Sequence, residues 1–353
     1  MTLSPSRDKI LERLRSIIDP DLQEDVVTAG LVRGVEVDAD GVRVALELTT
    51  PACPLRSFFE EQCARAVGEV PGVRTVRVEV SSRVAAGGPA DRRSVPNVQN
   101  LIAIASGKGG VGKSTVAVGV AVGLQARGAA VGLLDADVFG PSLALMLGGT
   151  ASPSTDTQGR LIPVSVAGIP MVSIGLLAVK GTPVIWRGPL VSRAIQDLVF
   201  NVAWPPLDYL VIDLPPGTGD AQLTVAQQAP VAGVVLVTTP QDVALLDVER
   251  AAAMFRRLGV PILGVVENMS FFVCPSCGHR EEIFSAGGGE ALATRLDVPL
   301  LAQIPLATGL RALADRGQAA NMGQSHQEIA HQFDRVARTV ASRLSVLARN
   351  GSR

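Results

Sequence analysis

The chain has 353 residues, with 32 Lys and Arg against 33 Asp and Glu for a formal net charge of −1. That length suggests two domains with a large core, and near-neutrality without any Lys/Arg run excludes the broad electrostatic footprint that nucleic-acid affinity needs. Charged residues are 18%, hydrophobic residues 47% and aromatics 3%, so the core is expected to be Val, Leu, Ile and Ala, the palette of buried parallel strands covered by helices.

The chain opens with Arg7, Asp8, Lys9, Glu12 and Arg13, too charged for a signal peptide, and no later apolar run reaches the 18 or so residues of a membrane span. The expectation is a cytoplasmic protein that partners neither membrane nor nucleic acid. Ile10, Leu11, Leu14, Ile17 and Ile18 predict a helix over 7–18, ended by Asp19 and Pro20. Alternating segments at 35–38 and 42–48 flank Asp38-Ala-Asp-Gly41, which has hairpin chemistry. A helix over 54–70 lines up Leu55, Phe58, Phe59, Cys63, Ala66 and Val67, and 73–80 alternates again. Residues 1–80 therefore read as a small α+β domain of order α-β-β-α-β.

From 81 to 97 the pattern lapses into Ala, Gly, Pro, Arg and Ser, which predicts a flexible linker. Over 98–353, strand candidates at 101–105, 131–134, 207–212, 234–238, 262–266 and 300–304 alternate with helical stretches, as in a mostly parallel sheet wrapped by helices. The stretch 326–347 repeats Ile329, Phe333, Val336, Val340, Leu344 and Leu347 on one face. It predicts a helix packed on the core in preference to one lying on a membrane surface.

The first chemical motif follows the strand at 101–105. Gly107, Lys108, Gly109, Gly110, Val111, Gly112, Lys113, Ser114 and Thr115 fit G-x-x-x-x-G-K-S/T and open a helical stretch. Glycines let backbone N–H groups curl around phosphate oxygens, Lys113 reaches the outer phosphates and Ser114 can ligate Mg²⁺. Two further strands end in Leu134-Asp135-Ala136-Asp137 and in Ile212-Asp213-Leu-Pro-Pro-Gly217-Thr-Gly-Asp220, at the edge where open α/β sheets bind ligands. Asp213 suits a Mg²⁺-facing carboxylate, and Gly217 a backbone N–H that senses the γ-phosphate.

Lys108 makes the loop K-G-G-x-G-K-S/T, which resembles the deviant Walker A loop of the MinD/ParA/nitrogenase-reductase ATPases. The resemblance implies an ATP-binding dimer in which Lys108 crosses to the partner's nucleotide and acts on the charge of the transferring phosphoryl group. It also implies that Asp137 positions the attacking water, so that Lys108, Lys113 and Asp137 are the catalytic set. It further implies that Asn268, after the strand at 262–266, presents its amide to adenine.

Cys274-Pro-Ser-Cys277-Gly-His279 places two thiols two residues apart. A cluster or a tetrahedral zinc site usually wants four ligands, so one chain supplies half a site and two-fold symmetry would supply the rest. Iron-sulfur cluster and zinc both remain open on these residues alone. With the lysine pair, D-L-P-P-G-T-G-D, T-T-P-Q-D-V-A at 238–244 and W-R-G-P at 186–189, however, residues 98–318 resemble the Mrp/ApbC-type iron-sulfur carrier ATPases. That resemblance implies a [4Fe-4S] cluster bridging Cys274 and Cys277 of two chains. Its recipients would be apo iron-sulfur proteins, and cluster-assembly scaffold proteins would be further partners.

Residues 1–80 separately resemble the SufT-like iron-sulfur assembly domain, through Ile18-Asp-Pro-Asp-Leu22, Gly30-Leu-Val32 and Thr49-Thr-Pro-Ala-Cys53-Pro54. Cys53, at a helix start, is expected to be available for chemistry, and Cys63, on the apolar helix face, to be packing. The alternatives are a MinD/ParA-type spatial-positioning ATPase and a zinc-stabilised P-loop ATPase.

Overall fold

The computed structural model describes residues 6–38, 41–177 and 188–351. The tip of the hairpin at 38–41 and Trp186 and Arg187 of the W-R-G-P motif lie outside the described residues. The chain divides into two compact units, Met1–Ala85 with Ala341–Arg353, and Ala86–Val340.

In the smaller unit, α1 (Arg7–Leu14) and α2 (Arg56–Gly68) accompany a three-stranded sheet of β1 (Val32–Val37), β2 (Val42–Leu48) and β3 (Val76–Ser82). β2 lies in the middle, antiparallel to β1 and parallel to β3. Buried Val42, Val44, Leu46 and Leu48 alternate along β2, as a strand with one face on a core requires. That core takes in Ile10, Leu14, Phe59, Cys63 and Val67. The helix predicted over 7–18 stops at Leu14. Beyond it Ile18 pairs with Asp25 and Asp19 with Glu24, and the Asp19 carboxylate accepts the N–H groups of Asp21 and Leu22 at 2.8 and 3.2 Å, a local alternative to helical bonding.

Residues 341–351, assigned on sequence to the second domain, close this unit. They end the helix Gln327–Gly351, and its polar side chains bond the unit's loops: Ser342 Oγ to Asp21 at 2.5 Å, Arg349 to the Ala29 carbonyl at 2.8 Å and to the Glu24 carboxylate. Apolar periodicity announces the helix but not what its polar face binds.

The segment 81–97, expected to be a flexible linker, is held at both ends. Ser81 and Ser82 complete β3, and Arg83 N–H donates to the Leu48 carbonyl at 2.9 Å. Within the larger unit Gly87 N–H donates to Gln99, Arg93 N–H donates to Gln228, the Arg93 guanidinium lies 4.5 Å from the Phe200 ring centre, and Val95 is buried. A Cβ on Gly87 would fall 2.4 Å from Asn100 Oδ1, and one on Gly88 2.3 Å from the Pro230 carbonyl. These glycines permit close packing, which composition alone reads as flexibility.

The larger unit holds β4 (Val98–Ser106), α3 (Lys113–Ala126), β5 (Val131–Asp135), α4 (Leu143–Leu147), β6 (Ile169–Ser173), α5 (Gly188–Phe200), β7 (Leu207–Asp213), α6 (Asp220–Gln228), β8 (Val231–Thr238), α7 (Asp242–Arg257), β9 (Ile262–Val273), α8 (Gly288–Arg295), β10 (Leu300–Leu306), α9 (Thr308–Asp315) and the N-terminal part of α10 (Gln327–Gly351). The parallel sheet runs β6-β5-β7-β4-β8-β9-β10. Short antiparallel strands, Val164–Val166 on β6 and Arg280–Glu281 on β9, are its only reversals among the described residues. Every residue of β8 is buried, which explains its unbroken apolar sequence.

β6 is absent from the sequence-based strand set, being five residues long and interrupted by Pro170. The sheet brings the C-terminal ends of β4, β5 and β7 together, which is where the chemistry gathers. Behind the P-loop, α3 meets α10 so closely that a Cβ on Gly119 would lie 2.2 Å from the Phe333 ring. The apolar face of α10 is buried from Ile329 through Val336 and Val340 to Leu344, whereas Leu347, placed on the same face by sequence, is exposed near the helix end.

Candidate functional site

The loop between β4 and α3 lines a pocket of about 590 Å³, to which Lys108, Gly109, Gly110, Gly112, Lys113, Ser114 and Thr115 all contribute. Gly110 and Gly112 have φ of 82° and 81°, a conformation that turns successive N–H groups inward and that side chains resist. The two remaining loop residues anchor it. A Cβ on Gly107 would lie 2.3 Å from the Asp247 carbonyl carbon, so the loop rests directly on α7, and Val111 is buried.

Below the loop is an acidic cluster at the ends of β5 and β7. Lys113 Nζ lies 2.6 Å from Asp213 Oδ1 and 3.5 Å from Asp137 Oδ2, and Ser114 Oγ donates to Asp213 Oδ2 at 2.5 Å. A serine hydroxyl and a carboxylate meeting at the mouth of the helix form the hard oxygen donor set that suits Mg²⁺. Asp213 is fully buried, and burial pushes its pKa up against the opposing pull of Lys113. Asp135, also fully buried, is pushed up to about 7 by burial first and by the neighbouring Asp213 second. Its carboxylate accepts from Ser173 Oγ at 2.9 Å, Leu143 N–H at 3.1 Å and Asp137 N–H at 3.3 Å. The Asp137 carboxylate in turn accepts Gly140 N–H at 3.2 Å. The turn after β5 is thus folded around its two aspartates.

Three residues sit otherwise than the sequence suggested. Asn268, expected in a loop with its amide towards a base, lies inside β9 and donates Nδ2 to the Val111 carbonyl at 2.9 Å. Gly217 N–H, expected to face a phosphate, donates to the Ser106 carbonyl at 2.9 Å. Each of these polar groups is bonded within the chain. Lys108 Nζ donates to Gln241 Oε1 at 3.1 Å, a partner that is neutral where those of Lys113 are anionic. Ser173, Gln241 and the pocket-lining Phe139 and Met269 were not singled out on sequence. Their roles come from contacts across the sheet, and only Gln241 lay in a motif already noted.

The cysteine pair occupies the tip of a hairpin. β9 continues past its predicted end at 266 to Val273, where Phe272 and Val273 pair with Glu281 and Arg280. Cys274 N–H donates to the His279 carbonyl at 2.9 Å and Gly278 N–H to the Cys274 carbonyl at 2.8 Å, closing the tip. Cys274 is half-buried and Cys277 exposed. The N–H groups of Ser276 and then Cys277 point at the Cys274 sulfur and hold its pKa below the usual thiol value, favouring the thiolate that binds metals. Among the described residues no three His, Cys, Asp or Glu side chains gather into a metal site. In the smaller unit Cys53 is half-buried before α2, whereas Cys63 is buried and its thiol is pushed up to about 12 by burial, an inert packing group.

Two family models match the chain: that described as NUBPL iron-transfer P-loop NTPase over residues 97–341, and that described as iron-sulfur cluster assembly protein over 7–80. The iron-sulfur cluster carrier protein of Synechocystis sp. is 47% identical over 347 residues, covering 97% of this chain and 98% of that one. The protein of the same name from Escherichia coli K12 is 39% identical, covering 96% and 95%. Among solved structures, a nucleotide-binding protein of Archaeoglobus fulgidus in complex with ADP is 40% identical with a TM-score of 0.57, over 64% of this chain and 88% of that one. The cell division ATPase MinD of Pyrococcus furiosus, 24% identical with a TM-score of 0.52 over 68% and 98%, shares the fold. The chain belongs to the iron-transfer P-loop NTPase family of iron-sulfur cluster carriers, with an iron-sulfur cluster assembly domain at its N-terminal end.

Proposed function

We propose that this chain is a cytoplasmic ATPase that, as a homodimer, holds a [4Fe-4S] cluster on Cys274 and Cys277 of both copies and hands it to apo iron-sulfur proteins. The observation that carries this reading is the exposed hairpin tip with its two thiols. Two ligands per chain are half of what a cluster needs, so a second copy completes the set. Phe139, which lines the nucleotide pocket, is exposed, as are Leu145 on α4 and Val243 and Leu246 on α7, apolar side chains that a second copy would cover.

At the nucleotide site, outer phosphate oxygens would take over Lys113 from Asp213 and Asp137, exchanging one anionic partner for another without stranding a buried charge. Ser114 and Asp213 would hold Mg²⁺, which when bound neutralises charge on the β- and γ-phosphates. Asp137, fixed by Gly140 N–H, would orient the attacking water. Lys108 leaves a neutral amide to reach the partner copy's nucleotide, a smaller loss than breaking an ion pair.

Anaerobic reconstitution with iron and sulfide, followed by metal analysis, tests the cargo. About four irons per two chains are expected, with loss of iron but retention of nucleotide binding in Cys274→Ser/Cys277→Ser. Stoichiometric zinc with no iron would overturn the carrier reading in favour of a zinc-stabilised ATPase.

A further inference from the structure

We propose that Met269 is a positioning residue through which nucleotide in the P-loop pocket sets the placement of the cysteine hairpin; this rests on the nucleotide-dependent carrier reading above. Met269 has a φ of 55° inside β9. A long side chain in the left-handed region costs energy that a plain strand would not retain, and such outliers gather where a segment must be aimed. Its side chain lines the nucleotide pocket. A Cβ on Gly112, at the start of the P-loop helix, would lie 3.8 Å from Met269 Cε and 2.0 Å from Asn268 Nδ2.

The kink is held by bonds on both of its sides, but the strand keeps its regular register only on the N-terminal one. Glu267, fully buried, accepts Gly289 N–H and Ser270 Oγ at 2.5 Å each and Gln303 Nε2 at 3.0 Å. Asn268 is bonded to the P-loop carbonyl of Val111. Past the kink the pairing of β9 with β10 loses register between Asn268 and Phe272. Pairing resumes at Phe272, opposite Leu306 on β10 and Glu281 in the hairpin, with Val273 opposite Arg280, and Cys274 follows at once. One strand therefore carries a pocket-lining side chain and, five positions on, the first cluster thiol. A ligand that moves Met269 acts on the backbone at the start of the irregular stretch that leads to the hairpin.

The test uses the full chain, reduced and free of cargo. Alkylation rates of Cys274 and Cys277 are read by peptide mass spectrometry, without nucleotide and at saturating Mg-ADP or a non-hydrolysable ATP analogue, saturation being set by titration for each protein. The wild-type rates should change about fivefold or more, the lower end of ordinary site-to-site coupling. Met269→Leu, which keeps the apolar reach, should retain the response, and Met269→Gly, which removes both reach and strain, should lose it. Failure to bind nucleotide would overturn the ATPase reading and this one with it. Binding with unchanged wild-type rates, or a full response in Met269→Gly, would overturn this one alone.

Discussion

Asp135 shows how much a single buried carboxylate can govern. Its folded pKa of about 7 stands above the ordinary 3.8, so the folded state holds this proton more tightly than the unfolded chain does. The stability it contributes is complete below about pH 4 and is lost as pH rises through about 7. Asp135→Asn removes the titration, so the variant should gain on the wild type between pH 4 and 7.5 in urea midpoints. A flat difference would show that Asp135 is ionised throughout. Lys108→Ala should bind nucleotide but lose about 10³-fold or more of the assembled rate, as trans-acting cations do, and single-turnover hydrolysis at high and low chain concentration would reveal it. The P-loop residues were legible one by one because their backbone conformations demand glycine and their charge demands phosphate. Ser173 was not, because a hydroxyl 38 residues from its carboxylate partner leaves no local mark.

At the scale of elements, apolar runs identified six of the seven parallel strands and missed β6, which is short and carries Pro170. The same runs ended β9 at 266, because Glu267 and Asn268 interrupt the apolar pattern although both are buried in the strand. The cysteines were therefore recognised by spacing while the strand that presents them was not. Packing of the P-loop on α7 gives a prediction of this scale. A methyl on Gly107 would strike main-chain atoms of Asp247 and Val248 at 2.3 and 2.5 Å, which cannot rotate aside. Gly107→Ala should destabilise by about 1–3 kcal/mol, the usual range for overpacking, and weaken nucleotide affinity as the loop lifts. Chemical denaturation and nucleotide titration measure both, and an unperturbed variant would mean that the loop yields freely.

For the whole molecule, the two-unit division was legible from the lapse in periodicity, but its borders were not, since residues 86–97 and 341–351 attach by backbone and polar contacts. Exposed Leu246 supplies the assembly prediction. Leu246→Asp should leave the monomer's fold intact, as surface changes generally cost under about 0.5 kcal/mol, while shifting nucleotide-loaded protein towards monomer in sedimentation. An unaltered dimer would move the interface elsewhere. The hairpin with two thiols has a broader consequence. Under the proposed sharing, a solitary copy has no cargo capacity, and the filled population grows with the square of chain abundance wherever copies are scarce. Dilution on growth or division would then unload the carrier by mass action, so that abundance itself meters how much iron and sulfide stays in transit.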